Sequence, residues 1–156
     1  MDNNAGPEGL IAQLLEAGLA GKPGIGGKPW RLGLCQHVRM WVRHGYRCGY
    51  CDEDLLSDLP RMMSAQLDHL LPKKEYPDLR DAEDNWVLAC FRCNQLKRTF
   101  NPWKSLPGSV GSPTRENIAS YRHALIEASW KNLEQRRDEQ RAMHLRVTSI
   151  LAMGNG

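Results

Sequence analysis

The sequence predicts an α+β fold: a small two-strand, one-helix core pinned by paired cysteines and flanked by N-terminal and C-terminal helices. Three observations predict it. Two C-x2-C pairs, Cys48–Cys51 and Cys90–Cys93, have 38 residues between them. Two short apolar runs of strand length lie between them, at 66–71 and 86–89. Outside the pairs, apolar residues recur at helical spacing. A chain of 156 residues suits one small domain with extensions. It divides into an N-terminal helical extension with a basic Gly/Pro-rich connection (1–45), a core (46–104) and a C-terminal helical extension (105–156).

Residues 8–19 place Leu10, Ile11, Leu14 and Leu15 on one stripe and predict the first helix. GKPGIGGKP at 21–29 breaks any regular element, with four Gly and two Pro in nine residues. It lacks a GK[ST] ending and does not read as a phosphate loop. Residues 34–44 set Leu34, Val38, Trp41 and Val42 on one helical face, with Gly45 as the stop. Gln66–Leu71 reads as a strand, the polar PKKEYPDLRDAED as a long loop, and Trp86–Ala89 as a second strand, with a helix beginning near Phe91. SPTREN at 112–117 predicts a helix start, Ser112 capping and Pro113 in the first helical position. Ile118, Tyr121, Leu125, Trp130 and Leu133 continue it as an apolar stripe. Beyond Leu133 the pattern is mostly charged, supported by pairs such as Glu134–Arg137 and Asp138–Arg141. This end is expected to be exposed or partner-facing, and LAMGNG to fray.

Each C-x2-C knuckle wraps a tight turn that aims two sulfurs at one point. Two knuckles complete the tetrahedral four-thiolate set that Zn²⁺ prefers, with no open position, so the zinc is expected to be structural. Such binding supplies on the order of 10 kcal/mol of folding free energy, which a core this small needs. The other readings are a C-x-x-C redox pair or unrelated thiols. Cys35 reads as a plain thiol, and His44, four residues before Cys48, is an alternative ligand.

Between and beside the knuckles stand Leu67-Asp68-His69-Leu70-Leu71-Pro72, AEDNWVLAC at 82–90 and CNQLKR at 93–98. Asp-His followed by an apolar pair and Pro, an Asn before an apolar strand, and L-x-C-x-x-C-N-x-x-K resemble the HNH endonuclease family. The resemblance covers about a third of the chain. It implies a ββα-metal, treble-clef-like core with the knuckles clamping its base.

Phosphodiester hydrolysis needs a deprotonated water, charge stabilisation at the phosphoryl group and help for the leaving oxygen. His69 suits the general base, because neutral imidazole accepts a proton near pH 7. Asp68 offers a hard carboxylate oxygen to Mg²⁺ or Mn²⁺. Neighbouring strand residues point to opposite faces, so Asp68 and His69 share a site only at a distorted or terminal strand position. The resemblance implies that Asn94 is a second ligand of the catalytic ion and that Asn85 holds the hairpin loop and orients the base. Arg92, Lys97 and Arg98 are candidates to hold substrate phosphates. Lys97 and Arg98 are expected on the helical face of Asn94. The other reading of these arginines and lysine is ordinary exposed helix charge. His37, His123 and His144 read as plain helix residues, and the acids from Glu75 to Asp84 as a solvated loop.

The formal net charge of +3 is a weak argument for nucleic acid. Its distribution says more: residues 17–51 hold six bases and no acid, 52–84 ten acids and four bases, 85–115 five bases and no acid. Alternating solvated surface would give the same pattern. No run approaches the ~18 apolar residues of a membrane span, and the N-terminus lacks a basic n-region. The expectation is a cytoplasmic chain that cuts DNA without a membrane, with a homodimer or protein partner at the C-terminal helix. The rival is a non-catalytic zinc module that binds nucleic acid or protein.

Overall fold

The computed structural model describes residues 6–16, 34–108 and 111–153. The expected Gly/Pro connection at 21–29 and residues 154–156 lie outside the described residues, as do the side chains of Cys35 and His37. The described elements are α1 (Pro7–Glu16), α2 (Leu34–Arg43), α3 (Leu59–Ser64), β1 (Gln66–His69), β2 (Trp86–Ala89), α4 (Phe91–Lys97) and α5 (Ile118–Met153). Strands β1 and β2 form a two-stranded antiparallel sheet, so the class is α+β. The chain divides into two compact units, Met1–Asp68 with Trp86–Phe91 and His69–Asn85 with Arg92–Gly156.

In the first unit, α2 ends where Gly45 was expected to stop it. Gly45 adopts φ 55°, and the Tyr46 and Gly45 amides donate back to the Trp41 and Val42 carbonyls at 3.0 Å each, a Schellman turn. The left-handed conformation costs glycine little because it has no Cβ. Val38 and Met40 are buried, α2 packs on β2, and Arg39 pairs with Glu8 of α1 at 2.8 Å. All four residues of β2 are buried. Such a strand is a continuous apolar run rather than an alternating one. The sequence reading leaves 52–65 without an element, whereas the structure forms α3 there. The Asp58 carboxylate caps the Arg61 amide at 2.8 Å and Pro60 occupies the first turn.

In the second unit the loop from Pro72 to Asn85 contains two short 3-10 turns, Pro77–Leu79 and Glu83–Asn85. One of its exposed acids is held by neighbouring donors. The Glu75 carboxylate takes hydrogen bonds from Lys104 Nζ and Asn101 Nδ2, both at 2.8 Å, and these hold it below its ordinary carboxylate pKa. Helix α5 packs against the turns Glu83–Asn85 and Pro102–Ser105. Trp103 meets Tyr121 edge to face at 5.0 Å, and Arg122 donates to the Asp84 carbonyl at 2.6 Å.

Two expectations about α5 are corrected. The helix begins at Ile118 rather than after Ser112, because Thr114 and Asn117 bond each other reciprocally: the Thr114 amide donates to Asn117 Oδ1 and the Asn117 amide to Thr114 Oγ1. Reciprocal bonds of this kind form a capping box with Thr114, not Ser112, as the cap, and the Ile118 amide closes the first turn onto the Thr114 carbonyl at 3.0 Å. The apolar stripe runs through Ile118, Leu125, Ser129 and Leu133, all fully buried, while Trp130 is 43% exposed. At 3.6 residues per turn Trp130 lies about 140° around the helix from Leu125, and Ser129 only about 40°. From Asp138 onward every described residue of α5 is exposed.

Candidate active site and metal centre

The first knuckle is a tight hairpin built on the Arg47–Asp54 bridge. The Cys48 amide donates to the Glu53 carbonyl and the Asp52 amide to the Cys48 carbonyl, each at 2.9 Å. Gly49 lies against β2, its amide donating to the Leu88 carbonyl at 2.8 Å. A Cβ there would sit 2.6 Å from Val87 Cγ1 and 2.8 Å from the His44 ring, so the close approach requires glycine. The second knuckle leaves β2 at Cys90 and enters α4, with Cys93 in its first turn. The Cys90 amide donates to Cys48 Sγ at 3.3 Å, and Cys51 and Cys90 Sγ lie 3.9 Å apart.

The four sulfurs lie within 4.8 Å of one another. Among the described residues, these cysteines are the group of His, Cys, Asp or Glu side chains arranged to hold a metal ion, and His44 is not part of it. Four converging thiols suit a soft, closed, tetrahedral centre.

His69 is the last residue of β1, the terminal position that an Asp-His pair requires. Its Nε2 lies 2.9 Å from the Arg80 carbonyl. A carbonyl only accepts, so Nε2 carries the hydrogen, and in the neutral ring Nδ1 is left as the acceptor. The His69 main chain is held as well, because Lys97 Nζ donates to its carbonyl at 2.7 Å. Asn85 is fully buried. Its Oδ1 accepts the Leu71 amide at 2.7 Å, and its Nδ2 donates to the carbonyls of Leu71 and Leu79 at 3.3 and 3.0 Å. One amide side chain thus spans both ends of the loop that follows His69. Asp68 is buried, and Tyr50, inside the first knuckle, donates its hydroxyl to Asp68 Oδ2 at 2.6 Å. Asn94 directly follows Cys93 and is half-buried.

The candidate phosphate contacts separate. Arg92 and Arg98 are exposed, but Lys97 is only 1% exposed and turned to the His69 carbonyl rather than to solvent. Of the expected shared helical face, Asn94 and Lys97 lie three residues apart in one helix, but Arg98 falls outside it. Helix α4 ends at Lys97 and Arg98 follows in the left-handed region at φ 49°. Sequence reasoning missed Tyr50 and the inward role of Lys97, since neither carries a local signal. It also missed Arg137, whose Nη2 donates to Cys93 Sγ at 3.0 Å. Burial works against the Arg137 charge, yet Cys93 and Glu134 raise its pKa above the ordinary arginine value.

Residues 48–100 match the family model described as HNH endonuclease. The chain thus carries an HNH endonuclease domain match over about a third of its length. No curated protein matches the chain. The HNH segment contains all four cysteines together with Asp68, His69, Asn85 and Asn94, whereas α1, α2 and α5 lie outside it. No helix among the described residues is long and apolar enough to cross a membrane.

Proposed function

We propose that the HNH core, residues 46–104, is a metal-dependent DNA endonuclease built on a structural zinc. The observation that carries this reading is the His69 imidazole, tied to the Arg80 carbonyl through Nε2 within the segment that matches that family. His69 Nδ1 takes the proton of the attacking water, Asn85 keeps the loop that presents the Arg80 carbonyl, and Lys97 holds the His69 main chain. Asp68 and Asn94 are the residues to hold Mg²⁺ or Mn²⁺. Two protein oxygens suit an ion that retains much of its water shell, and the Tyr50 hydroxyl orients the carboxylate. When bound, the ion supplies charge stabilisation to the phosphoryl oxygens. Arg92 and Arg98 neutralise neighbouring phosphates, a salt-sensitive contribution. Cys48, Cys51, Cys90 and Cys93 hold the zinc. A reduced four-thiolate centre fits the cytoplasm.

One such site cuts one strand per engagement, so a monomer nicks and a dimer breaks both strands. Supercoiled plasmid incubated with the protein, with and without Mg²⁺, tests the reading: relaxation only with the metal is expected. A gel shift without any cutting would instead favour a non-catalytic zinc module. Met143, Leu145, Val147, Ile150 and Leu151 are exposed on the tail of α5, which supports a homodimer or protein partner there. A chain ending after Gln140 keeps Arg136 and Arg137 and is expected to sediment as a smaller species than the full chain. Identical sedimentation per unit mass would remove the tail from self-association.

A further inference from the structure

We infer that Arg136 and Arg137 of α5 clamp α4, and that Arg137, by donating to the Cys93 thiolate, sets how tightly the metal centre holds zinc. The inference rests on the zinc reading above and not on the nuclease reading. Arg137 stands on a stretch whose composition is that of a solvated helix face, and Arg141 one turn later behaves accordingly, its side chain 72% exposed. The Arg137 side chain is only 11% exposed. Its Nη1 binds Glu134 of its own helix and its Nη2 reaches Cys93 Sγ at 3.0 Å. Its Nε is buried with no hydrogen-bond partner among the described residues. A buried guanidinium with an unsatisfied N–H is costly to hold unless charged partners offset the cost. Cys93 and Glu134 are those partners. Zinc with four thiolates keeps a net negative charge, so a guanidinium hydrogen bond to one sulfur stabilises the loaded centre.

Arg136 works on the other end of the same helix. Its Nη1 donates to the Leu96 carbonyl at 2.5 Å, one of the last-turn carbonyls of α4 that lack an intrahelical partner. A cation there also complements the helix dipole. Helix α4 has seven residues and is too short to be stable on its own. It is therefore gripped at the sulfur near its start and at a carbonyl near its end, with Asn94 between. Helix α5 lies outside the HNH segment, yet it becomes part of the metal centre.

The test compares full-length wild type with R137Q, R137K and R141Q. Zinc per chain is measured first, then zinc affinity by competition with a chromogenic chelator. R137Q is expected to lose about 10–100-fold in affinity, the usual range for a partner of a metal ligand. R137K keeps the charge without the planar fork and is expected to lose less, and R141Q is expected to match wild type. In cobalt-loaded protein the sulfur-to-metal charge-transfer band of R137Q should move to lower energy, since the Cys93 sulfur loses its hydrogen bond. A purely structural role would leave that band in place. Wild type without stoichiometric zinc overturns both the zinc reading and this inference. Stoichiometric zinc with unchanged affinity and band in R137Q overturns this inference alone. If R137Q does not fold, R137K decides: weakened affinity with a shifted band supports the clamp, and wild-type values for both overturn it.

Discussion

Replacing His69 with alanine is expected to lower Mg²⁺- or Mn²⁺-dependent plasmid cleavage by about 10²- to 10⁴-fold, the contribution of a positioned general base. Zinc content and folding should stay intact. The separation of the two effects follows from what His69 touches. Its ring hydrogen-bonds the Arg80 carbonyl, a contact worth about 1 kcal/mol net. His69 is only half-buried, whereas Leu70 and Leu71 next to it are fully buried. His69→Gln is the sharper variant: its amide can still donate to Arg80 but has no basic nitrogen, and it should lose as much activity as alanine. Cleavage at the wild-type rate by either variant, at matched zinc content and unchanged thermal melting, would sink the assignment of His69 as base.

How much of this was legible in the residues depends on the range of the contact. The β2 strand Trp86–Ala89 and the start of α4 at Phe91 fall where the apolar run and the second knuckle predict them. The four cysteines converge as their spacing implies, because a C-x2-C turn sets its geometry locally. The strand expected over Gln66–Leu71 instead ends at His69. Leu70 bonds the Asn85 carbonyl and Leu71 the Asn85 side chain, so one amide replaces a strand partner. Asn85 itself was picked out through the family pattern, not through any property of its neighbours. Contacts set by tertiary packing left no trace in the periodicity. Lys97 reaches back 28 residues to His69, Tyr50 reaches 18 forward to Asp68, and Arg137 lies 44 from Cys93. Each is a charged or polar residue whose local sequence reads as surface. Only the fold reveals which of them turn inward.

Substituting Cys48 with serine is expected to abolish zinc retention and unfold the core, the largest stability effect of any single change considered. Cys48 is buried, its amide closes the first knuckle onto Glu53 and its sulfur accepts the Cys90 amide. The sheet that the knuckles clamp has two strands of four residues each, and an isolated two-stranded sheet is marginal in water. A structural zinc contributes roughly 10–16 kcal/mol apparent, against roughly 5–15 kcal/mol for the whole stability of a domain. Loss of the ion therefore exceeds what the remaining contacts retain. Serine is nearly isosteric but is not a thiolate at neutral pH, so the centre loses a ligand rather than merely changing shape. Metal analysis and far-ultraviolet circular dichroism check the outcome. Titrating wild type with a strong chelator should reach the same unfolded end point, and Cys35→Ser, which lies outside both knuckles, should keep its zinc. A chelated wild type that melts cooperatively within a few degrees of the untreated protein would mean that burial alone holds the core, and the zinc would lose its structural role.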